Sequence, residues 1–397
     1  MRILMISDVY FPRVNGVSTS IMTFRHALEQ QGHSVTLVAP RYPNASDPDE
    51  RLVRIKSRYL VMDPEDRMMR YKDIVKLTDS LSAENFDLIH IQTPFVAHYA
   101  GLELARRLGL PTVETYHTFF EEYLYHYIKF LPRSLMRLLA RRFSCAQCNS
   151  VNGLIVPSTP MLNVLRDYGV TVDAEVIATG LSSNQFNPGD GKRFRHVHHI
   201  APGRPIMLFV GRVVFEKNIE FLVKITREVK LSIPNILFII AGEGPAEKHL
   251  QKAAIQNGLE KNIMFVGYLD REQGLPDCYA ASDVFIFASR TETQGLVLLE
   301  AMALGTPLVS TAVMGTKDIL RNNQGAIVAK ESLEDFSDKV VRVLENDQLR
   351  AKLGRNAVSE AHKWEQSVFV AKTLDFYQKV VSASVTNHAP AVYAGTK

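Results

Sequence analysis

The sequence predicts an α/β protein made of two doubly wound domains, each a parallel sheet with helices on its faces. Three observations carry the prediction. At 397 residues the chain exceeds one ordinary domain and fits two of middling size. Short apolar runs of strand length alternate with helix-forming stretches along the chain, the pattern of repeated βαβ units. Midway, from Ser182 to Pro205, the alternation stops in a polar stretch holding Pro188, Gly189, Gly191, Pro202 and Gly203. The expected division is a first domain over residues 1–185, a linker over 186–204, a second domain over 205–364, a last helix over 365–382 and a polar tail over 383–397.

Composition narrows the class. Hydrophobic residues make up 46% of the chain, enough for two cores, and a net charge of +4 is too small an excess to make nucleic acid the main partner. Cys145, Cys148 and Cys278 read as reduced, buried thiols of a cytosolic protein, since the C-x-x-C of the first two has no second ligand pair nearby. The start, MRILMISDVYF, has one positive charge and an apolar run broken by Asp8, so it reads as a first strand and not a signal peptide. No run of 18 apolar residues occurs, so no membrane span is expected, although the chain can still lie on a membrane.

In the first half, Arg2–Ser7 reads as a strand, Asp8–Ser18 as a loop with the Asn15-Gly16 turn pair, Thr19–Gln31 as a helix stopped by Gly32, and Ser34–Ala39 as the next strand. Gly16 lies at the ligand end of that unit, where a glycine serves a positive φ as readily as a ligand. Strands follow at Leu88–Ile91, Thr112–Tyr116 and Asn152–Pro157, with a helix over Thr159–Asp167. His117 stands at the carboxyl edge of the second of these strands, where a neutral imidazole can donate to a hydroxyl; His90 reads as structural.

Between them, Phe119–Asn149 is aromatic and then basic. Lys129, Arg133, Arg137 and Arg141 recur every four residues, with Arg142 beside the last, and on a helix they make a cationic stripe next to Leu135, Leu138, Leu139 and Phe143. Two readings stand: a basic amphipathic surface for anionic lipid, or a solvated face over a buried one. The run of His196, His198 and His199 lacks carboxylate partners and reads as polar loop, not as a metal site.

The second half opens with the strand Ile206–Val210, followed by Gly211, Arg212 and, five residues on, Lys217. Two cations at the end of a strand suit a diphosphate, although a lone Arg and Lys are more commonly surface residues. Strands at Ile236–Ala241, Ile263–Val266 and Asp283–Ala288 precede the polar loop Thr291–Gly295, a helix over Leu296–Leu304 stopped by Gly305-Thr306-Pro307, and a strand at Leu308–Thr311. The helix start offers backbone N–H groups and the positive end of its dipole to an anion. Glu292 and Glu300, with seven residues between them, put two hydroxyl-accepting carboxylates beside it. A ligand part phosphate and part polyol fits; taken alone, the pair reads as a dipole partner and a solvated helix residue. Helices over Leu333–Leu344 and Asp347–Lys363 complete the half.

The strings ETQGLVLLEAMALGTPLVST, GRVVFEKN and SDVYFPRVNGVSTSI closely resemble the signature segments of retaining glycosyltransferases of the GT-B fold, group 1 (family 4) type. The resemblance covers nearly the whole chain. It implies two Rossmann-like domains facing a central cleft, with the last helix crossing back onto the first domain. By resemblance, Arg212 and Lys217 grip the donor phosphates, Glu292 holds sugar hydroxyls and Glu300 the ribose diol. The backbone of Thr293, Gln294, Gly295, Gly16, Val17 and Gly211 faces the pyrophosphate, Tyr268 lies near the base, and His117 touches the donor sugar. His117, Arg212, Lys217 and Glu292 are the expected catalytic residues.

TYHTFFEEYLYHY together with TETQGLVLLEAMA is most similar to diacylglycerol glucosyltransferases. That implies UDP-glucose as donor, a lipid acceptor at an anionic membrane surface, and a cytoplasmic enzyme peripheral on the inner face of the cell membrane. No D-x-D element sits at a strand end, and no metal or other cofactor is expected. Hexosyl or mannosyl transfer in polysaccharide or phosphatidylinositol mannoside synthesis is the rival activity, and a catalytically silent sugar-nucleotide-binding protein the rival class.

Overall fold

Strands such as Ile206–Val210 (IMLFV) and Val284–Phe287 (VFIF) are apolar at every position, a composition that is stable only when both faces of a sheet are covered. The computed structural model describes residues 1–43, 49–59, 67–117, 119, 133–321 and 325–387. The chain folds as two units, Met1–Thr179 with Gln366–Lys397, and Gly180–Glu365.

The first unit holds a seven-stranded sheet in the order β3-β2-β1-β6-β7-β8-β9. Its strands are β1 (Arg2–Ile6), β2 (Ser34–Pro40), β3 (Leu52–Ile55), β6 (Leu88–Ile91), β7 (Thr112–Thr115), β8 (Gly153–Val156) and β9 (Ala174–Val176), and each adjacent pair is parallel. A small antiparallel pair, β4 (Ser57–Tyr59) and β5 (Arg67–Met69), lies outside the sheet. The C-terminal helix Gln366–Asn387 covers β8 so closely that a Cβ at Gly153 would lie 2.7 Å from Val380 and 2.9 Å from Phe376. That helix runs past the expected end at residue 382, taking in the first five residues of the expected tail; residues 388–397 lie outside the described residues.

The second unit holds six parallel strands in the order β12-β11-β10-β13-β14-β15. These are β10 (Ile206–Val210), β11 (Leu237–Ala241), β12 (Ile263–Gly267), β13 (Val284–Phe287), β14 (Leu308–Ser310) and β15 (Ala326–Val328). One apolar core joins the sheet to its helices, among them Ile219–Ser232 and Leu333–Glu345.

The expected linker over 186–204 is corrected by the structure. Gly191–Val197 is a helix capped by Asp190, whose carboxylate accepts the N–H groups of Lys192 at 3.0 Å and Arg193 at 3.1 Å. It docks on the helix Gly274–Ala281 through glycines with no room for a side chain: a Cβ at Gly189 would lie 2.1 Å from Pro276 O, and one at Gly191 would lie 2.5 Å from Ala280 O. Arg193 then donates to Asp277 from Nε at 2.6 Å and Nη2 at 2.8 Å, while the Asp190 N–H donates to the same carboxylate at 2.6 Å. The glycines that read as flexibility in the sequence are close-packing contacts. Gly189→Ala and Gly191→Ala should each lower the unfolding free energy by about 1–3 kcal/mol through overpacking, seen as a lower urea midpoint at unchanged slope. A wild-type midpoint would refute this docking.

Candidate active site

In the second unit the chain winds from β10 to β11 and β12 on one side, then returns to β13, β14 and β15 on the other, so the direction of winding switches between β10 and β13. Loops leaving two such strands diverge, and ligands of doubly wound sheets bind in the opening between them. Both loops carry residues singled out from the sequence. Gly211, Arg212 and Lys217 follow β10; Glu292, Thr293, Gln294 and Gly295 follow β13.

Lys217 ends a 3₁₀ turn, Phe215–Lys217, and the chain then passes through Asn218 with φ 57° into the helix Ile219–Ser232. Asn218 tolerates that left-handed conformation, and its side chain ties the turn to β13 by donating to Ala288 O and Glu331 Oε1, each at 3.1 Å. Arg290 grips the same Glu331 carboxylate, its Nε donating to both oxygens at 3.0 Å. So held, the Lys217 ammonium forms an ion pair with Glu292, 75 positions away, in a pair whose side chains are 21% and 15% exposed. Arg212 directly follows Gly211 at the end of β10 and is half-buried.

The loop carrying Glu292 is braced from behind. Gly315 donates its N–H to Glu292 O at 2.9 Å, and a Cβ at Gly315 would lie 2.1 Å from Thr293 O. Gly295, with φ 96°, then turns the chain into the helix Leu296–Ala303. Glu300 lies on the buried side of that helix at 4% exposure, not on the solvated side that its charge alone would favour. Its Oε1 pairs with Arg271 and accepts from Gln185 Nε2 at 3.3 Å, and its Oε2 accepts from the Tyr279 hydroxyl at 3.4 Å. The carboxylate in turn holds the Arg271 guanidinium charged, above its ordinary range. Tyr268 follows Gly267 with its ring 53% exposed, near enough to Arg271 to act on its charge. Arg271, Gln185, Tyr279 and Asn218 were not legible as site residues: each lies in a stretch without a motif, and only the fold brings it in.

The first unit has its own switch, between β1 and β6. Gly16 and Val17, expected in a loop, are instead the first two residues of the helix Gly16–Gln30. The reason is a reciprocal cap: Asn15 Oδ1 accepts the Ser18 N–H and Ser18 Oγ accepts the Asn15 N–H, both at 2.9 Å. The N–H groups of Gly16 and Val17 precede the first i→i−4 bond, made by Thr19 to Asn15 at 3.0 Å, and so face outward at the positive end of the dipole. His117 lies past β7 with Nε2 3.0 Å from Gln92 Oε1. Burial pushes its pKa down to about 4, and burial together with His117 pushes that of His90 down to about 3.

Of the basic stretch, Lys129 lies outside the described residues, and Arg133 opens the helix Arg133–Cys148. That helix buries Met136, Ala140, Ser144, Gln147 and Cys148. Leu135, Leu138 and Leu139 are 42%, 47% and 49% exposed, on the side that also carries exposed Arg137, Arg141 and Arg142. Cys148 is a buried thiol whose pKa burial raises, and Cys278 is likewise buried. Among the described residues no helix is long and apolar enough to cross a membrane, and no group of three His, Cys, Asp or Glu is placed to hold a metal.

The histidine shift sets a pH dependence. A base whose folded pKa lies below its unfolded value stabilises the fold fully above pH 6.5 and loses that contribution as pH falls through the folded value. Asp8, buried and raised to about 6, acts in the opposite sense, its contribution being lost as pH rises through 6. Between pH 7 and pH 4 the wild type should therefore lose on the order of 2–3 kcal/mol more unfolding free energy than His117→Asn, in which Asp8 is unchanged. Equal losses in urea titrations at the two pH values would show that His117 is not held neutral.

Comparison with known proteins agrees with this geometry. Residues 14–185 match the family model described as Glycosyltransferase Family 4, and residues 190–360 that described as Glycosyl transferases group 1. The chain is 33% identical over 319 residues to the alpha-monoglucosyldiacylglycerol synthase of Streptococcus pneumoniae, covering 78% of this chain and 71% of that one. The enzyme of the same name from Acholeplasma laidlawii is 24% identical, covering 96% and 98%. Among solved structures, sucrose-phosphate synthase from Thermosynechococcus elongatus superposes with a TM-score of 0.78 at 21% identity, covering 96% of this chain and 99% of that one. Anabaena HepE in complex with UDP gives 0.73 at 16%, covering 96% and 100%, so the fold is the GT-B fold of two Rossmann-like sheets. The chain belongs to the group 1, family 4 glycosyltransferases and is a hexosyltransferase.

Proposed function

We propose that the enzyme moves glucose from UDP-glucose to a hydroxyl of diacylglycerol or a related lipid at an anionic membrane surface, with retention at the anomeric carbon. The observation that carries the acceptor is the helix Arg133–Cys148, whose outward side mixes three exposed leucines with arginines. A leucine half in water is poorly placed, and the same side chain is favoured in the acyl boundary of a bilayer whose phosphates meet the arginines. The names of the two synthases point the same way. On this reading the enzyme is peripheral on the inner face of the cell membrane, with this helix as its contact.

For the donor, the paired charges supply the roles. A phosphate takes the place of Glu292 on Lys217, hydroxyls of the hexose take the place of Lys217 on Glu292, and Arg212 adds a second positive charge. As the glycosidic bond to the phosphate breaks, negative charge grows on the leaving diphosphate, and Arg212 and Lys217 stabilise it without a metal. The departing phosphate accepts the proton of the incoming hydroxyl. Glu300 receives the ribose diol, and Tyr268 lies by the base. The amides of Gly211, Thr293, Gln294 and Gly295 face phosphate oxygens; in the first unit, the amides of Gly16 and Val17 suit an anion and the His117 imidazole a sugar hydroxyl.

A second reading has its own support, since the chain is 26% identical over 347 residues to a GDP-mannose-dependent alpha-mannosyltransferase of Corynebacterium glutamicum. Thermal shifts with UDP-glucose and GDP-mannose separate the donors, because a ligand bound to the native state raises the melting temperature by mass action. UDP-glucose should stabilise and GDP-mannose should not; the reverse result would transfer the assignment to mannose. Lys217→Met should lower kcat by roughly 10²–10³-fold in an assay of glucose transfer into liposomal diacylglycerol. Arg137→Ala combined with Arg142→Ala should weaken vesicle binding roughly thirtyfold, at about 1 kcal/mol per cation. Equal sedimentation with anionic and neutral vesicles would reject the membrane role of the helix.

A further inference from the structure

Glu300 is surrounded by more hydrogen-bond donors than the role proposed for it leaves room for. An ionised carboxylate offers about four acceptor positions, two on each oxygen. Both positions on Oε1 are taken, one by the Arg271 guanidinium and one by Gln185 Nε2 at 3.3 Å. Oε2 carries the Tyr279 hydroxyl at 3.4 Å, whose proton is shared with Val297 O at 3.3 Å. A vicinal diol meets a carboxylate as a fork, with one hydroxyl donating to each oxygen. The fork cannot close on Glu300 while Oε1 holds both of its donors.

The three donors differ in how firmly they are held. Gln185 Oε1 accepts the Ser182 N–H at 2.9 Å and the Ser182 hydroxyl at 3.0 Å, which fixes the amide's orientation and keeps Nε2 on Glu300. Tyr279 is 1% exposed and belongs to the core of the unit. The backbone around Arg271 is also fixed, because the Asp270 carboxylate accepts the N–H groups of Glu272 at 3.1 Å, Gln273 at 2.7 Å and Gly274 at 3.1 Å. The Arg271 side chain is held more loosely. It is 28% exposed, and among the described residues Glu300 is the one hydrogen-bond partner of its guanidinium. Water can solvate each N–H that leaves the carboxylate, so moving this side chain strands no donor in the core.

The geometry points to Arg271 as an internal stand-in for ribose: in the empty site its guanidinium occupies Glu300 Oε1, and a ribose diol takes that position by displacing it. This rests on Glu300 being the ribose carboxylate of the proposed function. The stand-in keeps a carboxylate that is 4% exposed matched while no nucleotide is bound. Its exchange offsets part of the affinity that the diol supplies. A nucleotide without the diol leaves the ion pair whole, so Arg271 narrows the difference in affinity between the two and sets how strongly the site selects for ribose.

The test is calorimetric titration of the full-length protein at pH 7 with UDP and with GDP, each against its 2′,3′-dideoxy counterpart, so that the base assignment does not enter. The readout is the ratio of the two Kd values within a pair, in which the common diphosphate contribution cancels. The wild type should prefer the ribose form by a few fold, and Arg271→Met should raise that preference roughly tenfold further, about the worth of one hydrogen bond to a charged group. A preference unchanged or reduced in Arg271→Met, with the preference still abolished by Glu300→Gln, would overturn the stand-in and leave the ribose assignment in place. A preference that survives Glu300→Gln would defeat the ribose assignment itself and the inference with it. Because Arg271→Met leaves a buried carboxylate without its partner, a crystal structure of the wild type with the tighter-binding diphosphate gives a second reading: a ribose hydroxyl should lie on Glu300 Oε1 with Arg271 turned away, and a complex with both the ribose fork and the ion pair on Glu300 would refute displacement.

Discussion

The second unit is organised around the divergence of the chain at the β10 and β13 edge, where a lysine and a glutamate from the loops after these neighbouring strands form one ion pair. Parallel strands place all their carboxyl ends on one edge, and the reversal of winding leaves the loops there uncovered by a crossover helix. A half-buried charge in such a place is costly unless matched, so Lys217 and Glu292 satisfy each other. The pair is exchangeable only for partners of the right kind. An anion can replace Glu292 and a hydroxyl cluster can replace Lys217, which is why a phosphorylated sugar suits this geometry better than either half alone.

Rigidity around that pair comes from residues with no chemistry of their own to perform. Asn218, Glu331 and Arg290 lock the turn after β10 to the strand end of β13, and Gly315 supports the glutamate loop from the far side. A site so braced would lose little freedom on binding the proposed donor, leaving binding energy for use in the transition state. Glu300 is held in the same manner by Arg271, Gln185 and Tyr279, so both carboxylates singled out in the sequence are ordered by partners from elsewhere in the fold.

The helix Arg133–Cys148 shows how burial can reassign a sequence pattern. The arginine spacing marks a stripe, and leucines beside it in sequence read equally as the face turned inward. In the fold the inward face is made of Met136, Ala140, Ser144, Gln147 and Cys148, smaller or more polar residues that pack against the unit. Leu135, Leu138 and Leu139 remain on the outer side, 42%, 47% and 49% exposed.

The sequence by itself determined the alternation of strands and helices, the two doubly wound sheets and the positions of the motif residues, because these depend on local periodicity, turn chemistry and short strings that survive without knowledge of contacts. It placed Arg212 and His117 just past strand ends, and Lys217 and Glu292 in the stretches that follow β10 and β13. What it left undecided depended on pairing across large sequence separation. The segment over 186–204 looked like a linker because its glycines are indistinguishable from flexible ones until the helix Gly274–Ala281 is seen against them. Gly16 began a helix, not a loop, because a cap three residues long outweighed the turn tendency of Asn15-Gly16. Only the tertiary structure decided that Lys217 rests on Glu292, that Arg271 rests on Glu300, and that Tyr377 and Gln92 meet at His90. Each of these joins residues that no local rule relates, and the energy that selects it, the matching of buried charges and donors, exists only once the chain has folded.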